Sequence, residues 1–315
     1  MREHAVVFGG SQALVGVITE PSPLHLRDDA PAPPVAIFLN AGVIHRVGPS
    51  RLYVGIARRL ASIGWTSVRF DHSGIGDSPV RRDGVPFERS AILEVGHVMD
   101  SLQQSRGADR FVLVGLCSGA VTAFEAAVVD PRVAGAVMIN PQGFDDDAVW
   151  NAYVQNRGYA RRYWTRSLFS ASSWWNALTG RVNYRRLFRV LWRQAASAAG
   201  ADGRAVQSVA TRVASDLRKL LDRDARLLLL CSEGDDGIDY MNVIVGQDIR
   251  KMTGPRRPDV RILPDADHSF TLRAGQLRTM DEIHQWAGAT FAPPARAAAA
   301  SFVLDESAAE TASVS

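Results

Sequence analysis

Through most of the chain, short apolar runs alternate with stretches of helical spacing, and this rhythm restricts the possible folds more than any other feature. "VAIFLN" (35–40), "TSVRF" (66–70), "RFVLVG" (110–115), "VAGAVMIN" (133–140), "ARLLLLCS" (225–232) and "DVRIL" (259–263) read as strands, several of them buried on both faces. Residues 5–9 and 13–19 read as two opening strands. Helical spacing falls at 50–63, 87–105 (interrupted by Gly96), 118–129, about 239–252 and about 272–290. Strand and helix alternating in this way predict an α/β fold, a mostly parallel sheet with helices on both faces. The rhythm stops over 142–222. That stretch, rich in Trp and Arg, is expected to form a helical cap between two parts of one core, 1–141 and 223–291. The Ala/Ser-rich segment 292–315 predicts a disordered tail.

The chemistry is expected where "RFVLVG" runs into "LCSGA" (116–120). A nucleophile on a tight strand-to-helix turn needs glycine two residues before it and two after, because the backbone there leaves no room for side chains. Gly115 and Gly119 are equidistant from Cys117, so the register selects Cys117. For Ser118 the glycines would fall three before and one after. Ser118 is instead expected to supply only a backbone N–H at the start of a helix, where donors face a developing oxyanion. The plain alternative is that Cys117 is a small buried hydrophobe.

A base and an acid stand at the ends of later strands. "SEGDD" follows "RLLLLC" and places Asp235 in a strand-end loop, with Asp236 adjacent. "PDADHSF" follows "VRIL" and places His268 in the loop after the last strand, flanked by Asp265 and Asp267. Nucleophile, acid and histidine in that chain order resemble the α/β-hydrolase superfamily, over roughly residues 5–290. "FDHSGIGDS" (70–78) resembles its D-x-x-G-x-G-x-S turn. "LNAGVIHRVGP" (39–49) stands at its oxyanion-loop position, with Ala41-Gly42 in place of the usual His-Gly. The resemblance implies an α/β-hydrolase fold, a Cys117–His268–Asp235 triad, and an oxyanion hole made by the amides of Val43 and Ser118. The segments "NAG…HRVGP…RLY" and "GIGDS" also resemble bacterial hydrolases associated with exosortase and secondary-metabolite loci. Within the superfamily, the cysteine is similar to that of dienelactone hydrolases, polyhydroxyalkanoate synthases and the aminoacyl shuttle transferases of nonribosomal assembly lines. Gly74 and Gly76 lack the third glycine of a dinucleotide loop and are read as turn glycines.

A thiol in place of a hydroxyl favours thioester chemistry. An acyl-cysteine is nearly isoenergetic with a carrier or coenzyme thioester, so it can be loaded reversibly and passed to a thiol, amine or hydroxyl. The expected activity is therefore that of an acyltransferase or thioesterase. Its substrate would be an acyl or aminoacyl thioester on a carrier protein's phosphopantetheine or on CoA, released as acid or passed to a second acceptor, with a role in secondary-metabolite or polysaccharide biosynthesis. An esterase or lactone hydrolase using cysteine is the first rival, and a non-catalytic binding protein on a hydrolase scaffold the second.

Charge distribution adds a partner. The net charge of +3 conceals nine arginines and no acidic residue between 148 and 201. An acidic acyl or peptidyl carrier protein would be attracted to such a surface, with Arg161, Arg162 and Arg185 as docking candidates. His45 and Arg46, beside the oxyanion loop, are candidates for holding a substrate carboxylate or phosphate. No nucleic-acid motif, metal site or bound cofactor is expected. With only Cys117 and Cys231, no disulfide framework can form, and no run approaches the ~18 apolar residues of a membrane span. The start "MREHAVVFGG" lacks the apolar core of a secretion signal. A reducing cytoplasmic location is the expectation.

Overall fold

The computed structural model describes residues 1–9, 12–25, 31–144, 202–233, 235, 237–245, 248–252, 256–264 and 266–292. Its strands are β1 (Arg2–Phe8), β2 (Leu14–Glu20), β3 (Val35–Leu39), β4 (Ser67–Phe70), β5 (Phe111–Leu116), β6 (Val133–Ile139), β7 (Arg226–Ser232) and β8 (Asp259–Leu263). They form one sheet in the order β1-β2-β4-β3-β5-β6-β7-β8. β2 runs antiparallel to both β1 and β4, and every other pairing is parallel.

The apolar runs are continuous because each central strand feeds two cores at once. Ile37 and Leu39 of β3, Phe111 and Leu113 of β5, and Leu227, Leu229 and Cys231 of β7 enter one core. Ala36 and Phe38, Val112 and Val114, and Leu228 and Leu230 enter the other. This is the period of two that a pleated strand imposes on side chains. Helices α2 (Phe87–Arg106) and α3 (Ser118–Val129) supply the first core, and α1 (Leu52–Ala61) the second. Gly96 does not interrupt α2: a Cβ built there would meet no atom within 4 Å, so the residue sits on an open face of the helix. Buried Cys231 is a packing residue, and burial pushes its thiol pKa up.

The remaining α-helices among the described residues are α4 (Asp202–Asp222), α5 (Gly237–Val245) and α6 (Arg273–Thr290). The cap boundary expected at residue 222 falls too late. Val209, Val213, Leu217 and Leu220 of α4 are buried in the same core as β5 and α3, so 202–222 belongs to the main body. The stretch 145–201, with Arg161, Arg162 and Arg185, lies outside the described residues, as does the tail from 293. Among the described residues, no helix is long and apolar enough to cross a membrane.

Sheet order decides where chemistry can sit. The chain moves from β3 to β4 on one side, then crosses back over β3 to place β5 on the other. At such a switch point the loops at the carboxyl ends of β3 and β5 diverge and leave a crevice. The loops after β3, β4, β5, β6, β7 and β8 all begin at that same edge.

Candidate active site

Cys117 sits alone between β5 and α3 with φ 55° and ψ −123°, a conformation that disfavours every residue except glycine. Its neighbours explain how the turn is held. A Cβ at Gly115 would collide with the Gly119 carbonyl, and one at Gly119 would stand 2.5 Å from the Asn40 carbonyl oxygen. Strand, helix and the end of β3 therefore approach too closely for side chains at either position. The Cys117 amide donates to Ile139 O at 2.9 Å, and Leu116 N donates to the hydroxyl of fully buried Tyr53 at 2.9 Å. Cys117 itself is partly exposed.

The structure brings His268 and Asp235 to this turn. His268 Nδ1 lies 2.8 Å from Asp235 Oδ2, and the Cys117 side chain stands beside the imidazole. The hydrogen bond to Asp235, and after it the adjoining Cys117 side chain, push the His268 pKa up to about 10 against the opposing effect of burial. The ring therefore holds its proton at neutral pH, an imidazolium beside the Cys117 sulfur. Asp267, the described alternative acid, is engaged elsewhere: it accepts from Thr271 N at 2.8 Å and Thr271 Oγ1 at 2.7 Å. Asp236 and Asp265 lie outside the described residues.

The loop after β3 completes the crevice. Ile44 N donates to Ala41 O at 3.1 Å, closing a tight turn around Gly42 and Val43. Gly42 N donates to Ser118 Oγ at 2.9 Å. Val43 N–H has no partner among the described residues, and neither does Ser118 N–H at the first turn of α3. Those two amides are the ones expected to receive an oxyanion. His45 is exposed, and its carbonyl accepts from Gly48 N at 3.0 Å.

Arg46 departs from expectation. Its guanidinium pairs with Asp71 and, at 2.6 Å, with Asp77, while its amide donates to Asp71 Oδ1 at 2.5 Å. Two carboxylates already meet its charge, so Arg46 clamps the loop and is not poised for a substrate anion. The D-x-x-G-x-G-x-S turn is built around the same carboxylate. Buried Asp71 also accepts from Asn40 Nδ2 at 3.2 Å, and Gly76 lies so near that a Cβ would strike the carboxylate. Ser78 Oγ donates to Asp71 O at 2.7 Å and accepts from Val15 N at 2.9 Å.

Known proteins share this arrangement of strands and helices. The alpha/beta hydrolase family profile matches residues 15–279. The chain belongs to the alpha/beta hydrolase family. No curated protein matches it. Among solved structures, a serine hydrolase without lid from Xanthomonas campestris is 15% identical with TM-score 0.52, covering 93% of this chain and 96% of its own. A proline iminopeptidase-related protein from Thermus thermophilus is 20% identical with TM-score 0.53, covering 92% and 99%. An esterase from Pyrococcus furiosus is 12% identical with TM-score 0.55, covering 92% and 91%. At these identities the likeness shows the alpha/beta hydrolase fold.

Two residues of the hydrolase that the sequence reading passed over hold the site together. Asn140, fully buried at the end of β6 with φ 42°, donates from Nδ2 to Ser232 Oγ (2.9 Å) and His268 O (3.2 Å). Its Oδ1 accepts from Ser232 N at 2.8 Å. Gln142 donates to Asp235 Oδ1 at 3.2 Å. Both occur in "INPQG", directly after a strand whose end adjoins the nucleophile turn, and that placement is the only local signal of a role.

Proposed function

We propose that this hydrolase transfers acyl groups through a covalent intermediate on Cys117, taking them from thioesters. The observation that carries the reading is a thiol held on the strained turn beside a His268–Asp235 pair. With the proton held on His268, the Cys117 sulfur attacks the thioester carbonyl carbon. Negative charge develops on the carbonyl oxygen, which the Val43 and Ser118 amides receive. Collapse breaks the carbon–sulfur bond to the leaving thiol, which takes its proton from His268. An acceptor (water, amine, hydroxyl or a second thiol) then gives a proton to His268 and takes the acyl group.

A carrier-linked donor is supported by the arginine-rich stretch 148–201, with Arg161, Arg162 and Arg185 as the charges to reverse. Turnover of such a donor should fall as salt rises, since exposed charges are screened beyond about 8 Å at physiological ionic strength. A small neutral thioester should be turned over with little salt dependence. The rival reading, hydrolysis of a small free ester, is supported by the esterase among the structurally similar proteins.

Intact-protein mass measurement after mixing with matched thioesters and oxygen esters tests the proposal. An acyl adduct on Cys117, formed faster from thioesters, is the expected result. An adduct mapped to Ser118, or turnover of oxygen esters alone, would overturn it.

A further inference from the structure

We propose that the Ser118 hydroxyl is a positioning residue: it latches the Gly42–Val43 turn to the nucleophile helix and so aims the Val43 amide at the reacting carbonyl. The inference rests on the acyl-transfer reading for its catalytic consequence, whereas the latch itself is read from the hydrogen bonds.

The second half of the loop after β3 is braced several times over. Asn40 Nδ2 donates to Ile44 O at 3.0 Å, and Asp71 takes both the amide and the guanidinium of Arg46. Within the loop, the first half is closed only by the Ile44 N–Ala41 O bond of its own turn, which leaves the central Gly42–Val43 peptide unbonded. Gly42 adopts φ 55°, and a Cβ there would meet nothing within 4 Å, so no packing confines it. Glycine's wide conformational freedom leaves the following peptide plane, and with it the Val43 N–H, without an intrinsic direction. Among the described residues, one hydrogen bond reaches Gly42–Val43 from outside the loop, that from Gly42 N to Ser118 Oγ. Ser118 also begins α3, immediately after Cys117. A single bond thus ties the oxyanion loop to the helix that carries the nucleophile, across the switch point between β3 and β5. The adjacent serine is accordingly no spare nucleophile, and its side chain is not idle.

Preorganised donors act on charge that exists only in the transition state, so loss of the latch should slow carbonyl chemistry and spare other reactions of the same sulfur. The experiment uses the full chain as wild type, Ser118→Ala and Ser118→Thr, with two probes of Cys117. One is an acyl N-acetylcysteamine thioester, whose attack creates an oxyanion. The other is iodoacetamide, which alkylates the sulfur as a new S–C bond displaces iodide, with no charge developing on a carbonyl oxygen. Ser118→Ala should acylate about 10-fold to 100-fold more slowly, below the full cost of deleting an oxyanion donor. Its alkylation should stay within about twofold of wild type, and Ser118→Thr, which keeps the acceptor oxygen, should recover most of the acylation rate. Equal losses with both probes, or none with either, would overturn the inference.

Hydrogen exchange at the Gly42 amide separates the latch from the acyl-transfer reading. It should quicken about tenfold or more in Ser118→Ala and not in Ser118→Thr. Unchanged exchange would refute the latch whatever the chemistry. Quickened exchange in a protein whose wild type takes no acyl group would keep the latch and remove the acyl-transfer reading.

Discussion

Gln142 donates from Nε2 to Asp235 Oδ1 at 3.2 Å, on the carboxylate whose other oxygen lies 2.8 Å from His268. The acid is therefore held from two directions, and the second holder lies 93 residues away in the chain. Replacing the amide by a carboxylate, Gln142→Glu, sets a second negative charge against Asp235. Protonated His268 should gain from it. The ring's titration, followed by NMR, is expected to move upward from about 10. A downward movement, or none, would show that Gln142 does not touch the acid in solution.

His268 also makes stability depend on pH. Its folded pKa of about 10 lies above the ordinary 6.5, so folding tightens proton binding. The contribution of the charged ring is present in full below about 6.5 and is lost as pH rises through about 10. The stability difference between wild type and His268→Gln, from urea unfolding, should narrow between pH 6 and pH 10.5. Widening over that interval would contradict the assignment of Asp235 and Cys117 as its partners.

The turn at Cys117 opposes stability to function. A residue at φ 55° and ψ −123° costs on the order of 1–3 kcal/mol unless it is glycine. Cys117→Gly should be more stable than Cys117→Ala by about 1 kcal/mol or more, and both should lose covalent acylation. Equal urea midpoints would show that the strain is relieved in some other way.

Asn140 offers a separate test of how the acid and base loops are joined. Asn140→Ala removes its bonds to Ser232 and His268 and should cost about 2–4 kcal/mol. Asn140→Gly loses the same bonds but suits φ 42°, so it should be the milder change. The reverse ranking by urea unfolding would discard the backbone argument.

The Arg46–Asp71 clamp predicts non-additivity. Arg46→Met strands a fully buried carboxylate and should cost about 3–5 kcal/mol. Adding Asp71→Asn should recover part of that loss. A double variant no more stable than Arg46→Met would count against a pairing between the two side chains.

Local physics made some features legible from sequence alone. The apolar runs of β3, β5 and β7 declare strands buried on both faces, because side chains alternate and both faces are covered. Gly115 and Gly119 declare the turn, because no Cβ fits where strand and helix touch. Cys117, Asp235 and His268 follow from their positions just past strand ends, since parallel strands deliver those ends to one edge. Other features depended on contacts between distant segments, and sequence spacing does not encode these. Arg46 reads as a free cation until Asp71 and Asp77, across the neighbouring strand's turn, are seen to hold it. Helix 202–222 reads as cap until Val209, Val213 and Leu217 are found in the main core. Ser118 reads as a bare amide until the order β4-β3-β5 brings Gly42 against its hydroxyl. In each case the strand order set the partner, and only the folded sheet reveals it.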